Sequence, residues 1–131
     1  ERHGTAGRCI VGAFSAEALV PFRGTACARS ASNADVVRLY ARAALPFGPR
    51  TLPYRALCIP PTHRGLPLPV LRFAKMARRA GVPTHVWTVD DPSRAQRYWE
   101  GGVNGIITND PLTILTAAGR APAHSPHAFV A

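Results

Sequence analysis

Carboxylates are the groups best able to hold a cation or move protons, and this chain brings few of them together. Its first 89 residues contain only Glu1, Glu17 and Asp35, and the last two fall in predicted helices. Asp90 and Asp91 follow a predicted strand, where Asp91 is suited to cap a helix and Asp90 is either a turn residue or a ligand. A divalent cation needs several oxygens converging on one point. Because no pair is spaced to supply them, we expect no metal ligand in this chain.

Cysteine and histidine offer the other potential metal ligands. Cys9, Cys27 and Cys58 each lie in a different predicted strand, with no Cys-x-x-Cys motif and no histidine at ligand spacing. We therefore expect three buried free thiols rather than a zinc site or a disulfide framework. His124 and His127 lie in a Pro-containing tail without a carboxylate or thiol beside them, which indicates an exposed tail.

Aromatic residues at the ends of predicted strands are the better candidates for contact with a ligand. Alternation along Thr84–Val89 places His85, Trp87 and Val89 on one face of a sheet, with His85 two residues deeper than Trp87. We expect His85 to be packed and hydrogen bonded. Trp87 either packs between the sheet and its helices or faces a substrate, and Phe14 is either a core residue or part of the same surface.

The stretch Gly81–Pro111 predicts a complete strand–helix–strand unit that would position Trp87. Thr84–Val89 is rich in β-branched and aromatic residues, as buried strands are. A helix capped by Asp91 and ended by two glycines follows, and Val103–Thr108 forms a second, shorter strand. Two strands joined by so short a helical crossover must be parallel, and parallel strands need helices on both faces.

Strands and helices alternate along the rest of the chain as well. The further predicted strands are Arg8–Phe14, Thr25–Arg29 and Ala56–Ile59, and Pro60–Pro69 is a predicted loop. Helices are predicted from Ser15, from Ala34 with the apolar stripe Val36, Val37, Leu39 and Tyr40, and from Pro69 with the stripe Val70, Phe73, Ala74 and Ala77. This alternation is typical of an α/β barrel or a doubly wound sheet. No Gly-x-Gly-x-x-Gly motif or phosphate loop marks a nucleotide site.

Length and charge limit the classes of function. The 131 residues carry a formal net charge of +9, from 16 basic and 7 acidic residues. The basic residues are spread along the chain, so we expect a solvated Arg-rich surface without specific nucleic-acid binding. No apolar run reaches the roughly 18 residues of a membrane-spanning helix. We expect a single domain over residues 1–119, followed by a loosely ordered tail over 120–131.

Two motifs lie at a characteristic separation within Gly81–Pro111. His-Val-Trp-Thr-Val-Asp-Asp-Pro occupies 85–92, and Gly-Gly-Val-Asn-Gly-Ile-Ile-Thr-Asn-Asp-Pro occupies 101–111. Together they resemble the last two strands of the glycerophosphodiester phosphodiesterase domain, a Trp-Thr-Val strand and a Gly-Val-Asp-Gly-Ile-Ile-Thr-Asp-x-Pro ending. Asn104 and Asn109 stand where that family usually has Asp.

The resemblance implies a (β/α)8 TIM-type barrel, which needs about 250 residues. We therefore expect this chain, which starts at Glu1 rather than Met, to be the C-terminal half of such a barrel. The family hydrolyses glycerophosphodiesters to an alcohol and glycerol 3-phosphate with a divalent metal, Ca²⁺ or Mg²⁺ in the full-length enzyme. Its metal carboxylates and catalytic histidines belong to the first half of the barrel. We accordingly expect no catalytic residue, no bound metal and little or no turnover in this chain alone.

The resemblance also assigns the mouth of the barrel. It implies that Trp87 and Phe14 face the substrate, with the Trp87 ring against the glycerol part. His63-Arg64-Gly65 matches the tripeptide that opens the family domain with a catalytic histidine. Here it lies in a loop of the second half, so we interpret the match as coincidence, although His63 could still face the mouth.

Two other interpretations compete with a substrate-binding half of an enzyme. A half-barrel leaves open strand edges and an uncovered apolar face, which favour association with itself or with a separate N-terminal half. A basic nucleic-acid-binding α/β domain rests on the net charge of +9 alone.

Overall fold

A computed structural model describes residues 4–43, 49–63 and 65–119 of the chain. The predicted tail with His124 and His127, as well as Glu1 and Arg64, lies outside the described residues.

Short strands and helices alternate through the described part of the chain. The strands are β1 (Ile10–Val11), β2 (Ala28–Arg29), β3 (Leu57–Ile59), β4 (Thr62–His63), β5 (Leu66–Pro67), β6 (Thr84–Val86) and β7 (Gly105–Ile106). The α-helices are α1 (Asn33–Ala43), α2 (Val70–Arg79), α3 (Pro92–Glu100) and α4 (Pro111–Ala117), and 3₁₀ helices span Ala6–Arg8 and Glu17–Phe22. None of the described helices is long and apolar enough to cross a bilayer.

The main strands are parallel and follow one another in sequence order. β1 pairs with β2, and a three-stranded sheet has the order β3-β6-β7. A parallel bridge between Ser30 and Ala56 links the end of β2 to the start of β3. The predicted parallel pairing of the unit around α3 is thereby confirmed. The fold is mixed α/β with small parallel sheets.

Helix starts follow from local side-chain chemistry. Asp91 accepts a hydrogen bond from the amide of Arg94, and Pro92 takes the first position of α3, where a missing N–H is harmless. Asp110 caps α4 in the same way, by accepting from the amide of Thr113 at 3.0 Å. Both predicted Asp-Pro starts are confirmed.

The hydrophobic core lies where α2 covers the three-stranded sheet. The predicted stripe of α2 is confirmed, because Val70, Phe73, Ala74 and Ala77 are all buried. It packs in one cluster with the β3 and β6 side chains of Leu57, Ile59 and Val86. The opposite face of α2 carries Arg72, Lys75 and Arg79, which are exposed.

The predicted stripe of α1 is only half correct. Leu39 is buried, but Val37 is 68 % exposed and Tyr40 is 56 % exposed. The predicted apolar stripe spans a wide face of α1, and α2 covers only part of that face. An apolar strip of α1 is therefore left open.

Three further predictions need correction. The strands are shorter than predicted, and the loop over 60–69 contains an antiparallel hairpin of β4 and β5, which the positive φ of Gly65 at 79° accommodates. The three cysteines are free thiols as predicted, but Cys9 is exposed and the other two are half-buried. Cys9 precedes the two-residue strand β1 rather than lying inside a buried one.

Candidate functional site

A groove of about 1020 Å³ opens where the parallel strands end. The segments that follow β1, β2, β3, β6 and β7 contribute Phe14, Ser30, Pro60, Trp87 and Ile107 to its wall. The carboxyl ends of parallel strands are where α/β folds place their ligands. The groove is therefore the candidate functional site.

Phe14 and Trp87 meet in this groove although 73 positions separate them in the sequence. Their ring centroids are 5.8 Å apart and their planes are tilted by 55°. Hydrogen bonds fix the main chain of both residues: the carbonyl of Phe14 accepts from the amide of Asn33, and the amide of Trp87 donates to the carbonyl of Ile59. Phe14 is 65 % exposed, so the pair presents aromatic surface to the groove.

The far wall of the groove comes from α1 and the hairpin. Val37, Tyr40 and Leu66 line it with exposed apolar side chains, and Leu66 is 70 % exposed. His63 of β4 is exposed and lines the same groove. Of this wall the sequence indicated only His63, as a residue that could face the mouth, because the hairpin was predicted as a loop. The signal that could have indicated the hairpin was Gly65, a turn-forming residue between Thr62-His63 and Leu66.

His85 is half-buried and packed as predicted, between β3 and β7. Its Nδ1 lies 3.9 Å from the Sγ of Cys58, its register partner on β3. The ring presses on Gly105 of β7, where any side chain would collide with it. Burial raises the pKa of the Cys58 thiol, which keeps that thiol protonated. Cys58 and His85 therefore pack against each other across the neighbouring strands β3 and β6.

Val89 does not share the face of Trp87, so the predicted alternation is wrong at this position. Val89 is 2 % exposed and belongs to the same core cluster as Val86. The physical reason is that β6 ends at Val86, so the two-residue period does not extend to residue 89. The amide of Val89 instead donates to the carbonyl of Ile107, which holds the segment against the end of β7.

Asp90 joins two strand ends and is a turn residue. Its carboxylate accepts from the Thr108 hydroxyl at 2.8 Å, from the Asn109 amide at 2.8 Å and from the Asn109 side chain at 2.9 Å. These hydrogen bonds, led by that of the Asn109 backbone, lower the pKa of Asp90. Asp90 therefore fixes the loop after β6 to the loop after β7.

The described residues do not fit a divalent cation. Each described carboxylate is already engaged locally: Glu17 with Ser15, Asp35 with Ser32 and Arg29, Asp90 with Asn109, Asp91 with Arg94, Glu100 with Gln96 and Asp110 with Thr113. Within the described ranges, no three His, Cys, Asp or Glu side chains converge. A hard cation needs several oxygens at one point, and these six are spread over separate turns and caps.

Parallel strands in sequence order, with an aromatic-lined groove at their carboxyl ends, define an α/β protein whose site is placed as in α/β barrels. The model of the "Glycerophosphoryl diester phosphodiesterase family" matches residues 2–113, and the chain belongs to that family. The family consists of phosphodiesterase hydrolases that act on glycerophosphodiesters, and it implies a TIM-barrel-like fold. A comparison with curated proteins found no match.

Asn104 and Asn109, which stand where the family usually has Asp, both make hydrogen bonds in this structure. Asn109 donates from both its backbone and its side chain to Asp90, which an aspartate side chain could not do. Asn104 accepts from the amide of Thr84 at 2.9 Å, a bond that aspartate could also accept. The departure at Asn109 therefore has a local structural role in joining the strand ends.

Proposed function

We propose that this chain forms the C-terminal half of a metal-dependent, TIM-type glycerophosphodiester phosphodiesterase and builds one wall of its substrate mouth. The complete enzyme hydrolyses a glycerophosphodiester to an alcohol and glycerol 3-phosphate. Support comes from the strand order: β1 is parallel to β2, β3 and β7 are parallel to β6, and a parallel bridge links β2 to β3. Within the described residues β1 pairs only with β2 and β7 only with β6. Further strands can join at either edge.

The observation that carries this proposal is the contact of Phe14 with Trp87 at the carboxyl ends of the strands. A flat aromatic surface suits the C–H groups of a glycerol unit. Trp87 is half-buried and anchored by the hydrogen bond from its amide to the carbonyl of Ile59. The net charge of +9 attracts the anionic phosphodiester towards this surface.

This chain binds the substrate, and the rest of the barrel supplies the catalytic groups. Phe14 and Trp87 bind and orient the glycerol part, and the apolar far wall keeps water away from it. Because the described carboxylates are committed to local bonds, the acid–base groups and the ligands of Ca²⁺ or Mg²⁺ come from outside the described residues. Little or no turnover is expected from this chain alone.

Binding and turnover can be tested separately. In a Trp99→Phe background, Trp87 is the remaining tryptophan, and its fluorescence should change as glycerophosphocholine is added. Phe14→Ala should weaken binding roughly two- to tenfold, the equivalent of an aromatic contact worth about 0.5–1.5 kcal/mol. Phe22→Ala, in the 3₁₀ helix and outside the groove lining, is the matched control and should bind normally.

The turnover arm measures choline release with millimolar Ca²⁺ or Mg²⁺. No release above the blank is expected. Rapid hydrolysis that stops on adding a chelator would contradict the assignment of the catalytic groups to the other half. Unchanged binding in Phe14→Ala, read from the fluorescence of Trp87, would contradict the assignment of the mouth.

A second candidate function is association, either with a second copy or with a separate N-terminal half. The exposed apolar residues Val37, Tyr40 and Leu66 favour it, because they form a continuous wall of the groove. Light scattering of the purified chain should then show a mass above that of a monomer, and Leu66→Glu should reduce it. Thr116→Glu, at an exposed site on α4, serves as the control. A clean monomer at high concentration would rule out self-association.

A further inference from the structure

The groove is mostly apolar, and the aromatic pair lines only part of it. Its volume of about 1020 Å³ is at the upper limit of the roughly 300–1,000 Å³ that small-molecule sites span. Phe14 and Trp87, which we assign to the glycerol part of the substrate, are two of its lining residues. Among the described residues, none that lines the groove is Asp, Glu, Lys or Arg. The remaining surface therefore suits an uncharged, apolar part of the ligand.

The apolar far wall begins directly beside the aromatic pair. The amide of Asn33, the first residue of α1, donates to the carbonyl of Phe14 at 2.9 Å. The amide of Trp87 donates to the carbonyl of Ile59, which ends β3 and precedes the hairpin. From these two points α1 and the hairpin extend the wall with the exposed apolar side chains of Val37, Tyr40 and Leu66. The surface assigned to the glycerol unit therefore leads into the apolar wall.

This wall lies away from the edges at which further strands would complete a barrel. α1 connects β2 to β3, and the hairpin connects β3 to α2. The parallel pairs and the bridge between Ser30 and Ala56 make β3 the middle strand, with β1 and β7 at the outer edges of the described part. Strands added at β1 and β7 leave Val37, Tyr40 and Leu66 uncovered. Because removing apolar surface from water is favourable, an apolar ligand lying on this wall gains binding energy.

We propose that the groove binds the acyl chain of a single-chain glycerophospholipid, with the glycerol unit on the Phe14–Trp87 pair and the acyl chain between α1 and the hairpin. The substrate class is then lysophospholipids rather than fully deacylated glycerophosphodiesters. This inference rests on the function proposed above, because it takes the position of the glycerol unit from it. The glycerol unit and one acyl chain share the volume of the groove, and the chain contacts Val37, Tyr40 and Leu66.

The length of the acyl chain gives the test. In the Trp99→Phe background, the fluorescence of Trp87 is titrated with glycerophosphocholine, which has no acyl chain. It is also titrated with lysophosphatidylcholines of six, eight and ten acyl carbons, each below its critical micelle concentration. Complete burial of one methylene tightens binding roughly fourfold. Because the groove is open to solvent, we expect about half of that free energy, which amounts to about fourfold for every two carbons.

Two substitutions separate the acyl-chain site from the aromatic pair. Leu66→Ser should flatten the dependence on chain length, so that the ten-carbon ligand binds roughly five- to tenfold more weakly. Phe14→Ala should weaken the binding of all four ligands by a similar factor and preserve the dependence on chain length. Leu112→Ser is the matched control, because Leu112 is 58 % exposed on α4 and does not line the groove. It should bind all four ligands as the parent does.

Equal affinity for all four ligands would overturn the acyl-chain site and leave the function proposed above in place. A dependence on chain length that persists unchanged in Leu66→Ser would overturn the site as well. Chain-length dependence without binding of glycerophosphocholine would support the acyl-chain site and contradict the glycerol assignment instead. Light scattering at saturating ten-carbon ligand should show a monomer. A higher mass that persists there and is lost in Leu66→Ser would assign the groove to a second copy of the protein and overturn the proposal.

Discussion

Replacing Phe73 with alanine should lower the free energy of unfolding by about 3–5 kcal/mol, the range for removing a large buried aromatic side chain. Phe73 is 0 % exposed and lies at the centre of the cluster between α2 and the sheet. Its ring also meets that of Tyr40 edge-on, with centroids 6.0 Å apart and planes at 81°. The substitution therefore removes both buried apolar area and the main aromatic contact between α1 and α2. Urea denaturation followed by far-UV circular dichroism measures the loss.

Phe14→Ala is the matched control for this experiment, because it makes the same chemical change at a site that is 65 % exposed. Its cost should stay below about 1.5 kcal/mol, the upper value for a single aromatic pair. Equal losses in the two variants would mean that the core does not lie beneath α2.

Asp35→Asn should lower the free energy of unfolding by about 2–3 kcal/mol, because it leaves a partly buried guanidinium without its counter-charge. Asp35 is 6 % exposed and ties the start of α1 to β2: it accepts from the Ser32 amide at 3.0 Å and from Arg29 at 2.8 Å. Asp110→Asn is the matched control, since asparagine caps helices as well as aspartate does. That variant should unfold almost as the wild type does.

The same carboxylate makes stability depend on pH. Burial alone would raise the pKa of Asp35, but the hydrogen bonds from Arg29 and Ser32 outweigh it, so the pKa is lowered. A group with a lowered folded-state pKa stabilises the fold above its unfolded pKa of about 4, and this stabilisation is lost as the pH falls through the folded value. The stability gap between wild type and Asp35→Asn should therefore narrow below about pH 4. A gap that stays constant down to pH 2 would show that charge is not the cause.

Much of the strand–helix–strand unit was predictable from residue types at fixed spacings. The Asp-Pro pairs at 91–92 and 110–111 start helices through contacts within a few residues, so no tertiary information is needed to locate them. The stripe of α2 was equally readable, because an amphipathic helix on a sheet buries the residues that recur every three to four positions. The pairing of β6 with β7 followed from the short crossover.

The candidate site was predictable only in part. Phe14 and Trp87 were named from their positions at strand ends, and the structure brings them together, while their contact with substrate remains a prediction. The contact of Cys58 with His85 depends on the register between β3 and β6, which chain order does not reveal. The face on which Val89 lies was predicted wrongly, because β6 is shorter than expected. A strand ends where its neighbours stop pairing, and the sequence does not show that point.

Local chemistry in the sequence therefore determined the helix starts, the parallel order of the last strands and the family of the chain. Tertiary structure alone decided which apolar residues stay uncovered, namely Val37, Tyr40 and Leu66 along the groove. It also decided that Tyr54 is buried with no hydrogen-bond partner for its hydroxyl among the described residues. The reason is physical: caps and periodicities act over a few residues, whereas burial depends on which distant segments come to lie on top of one another.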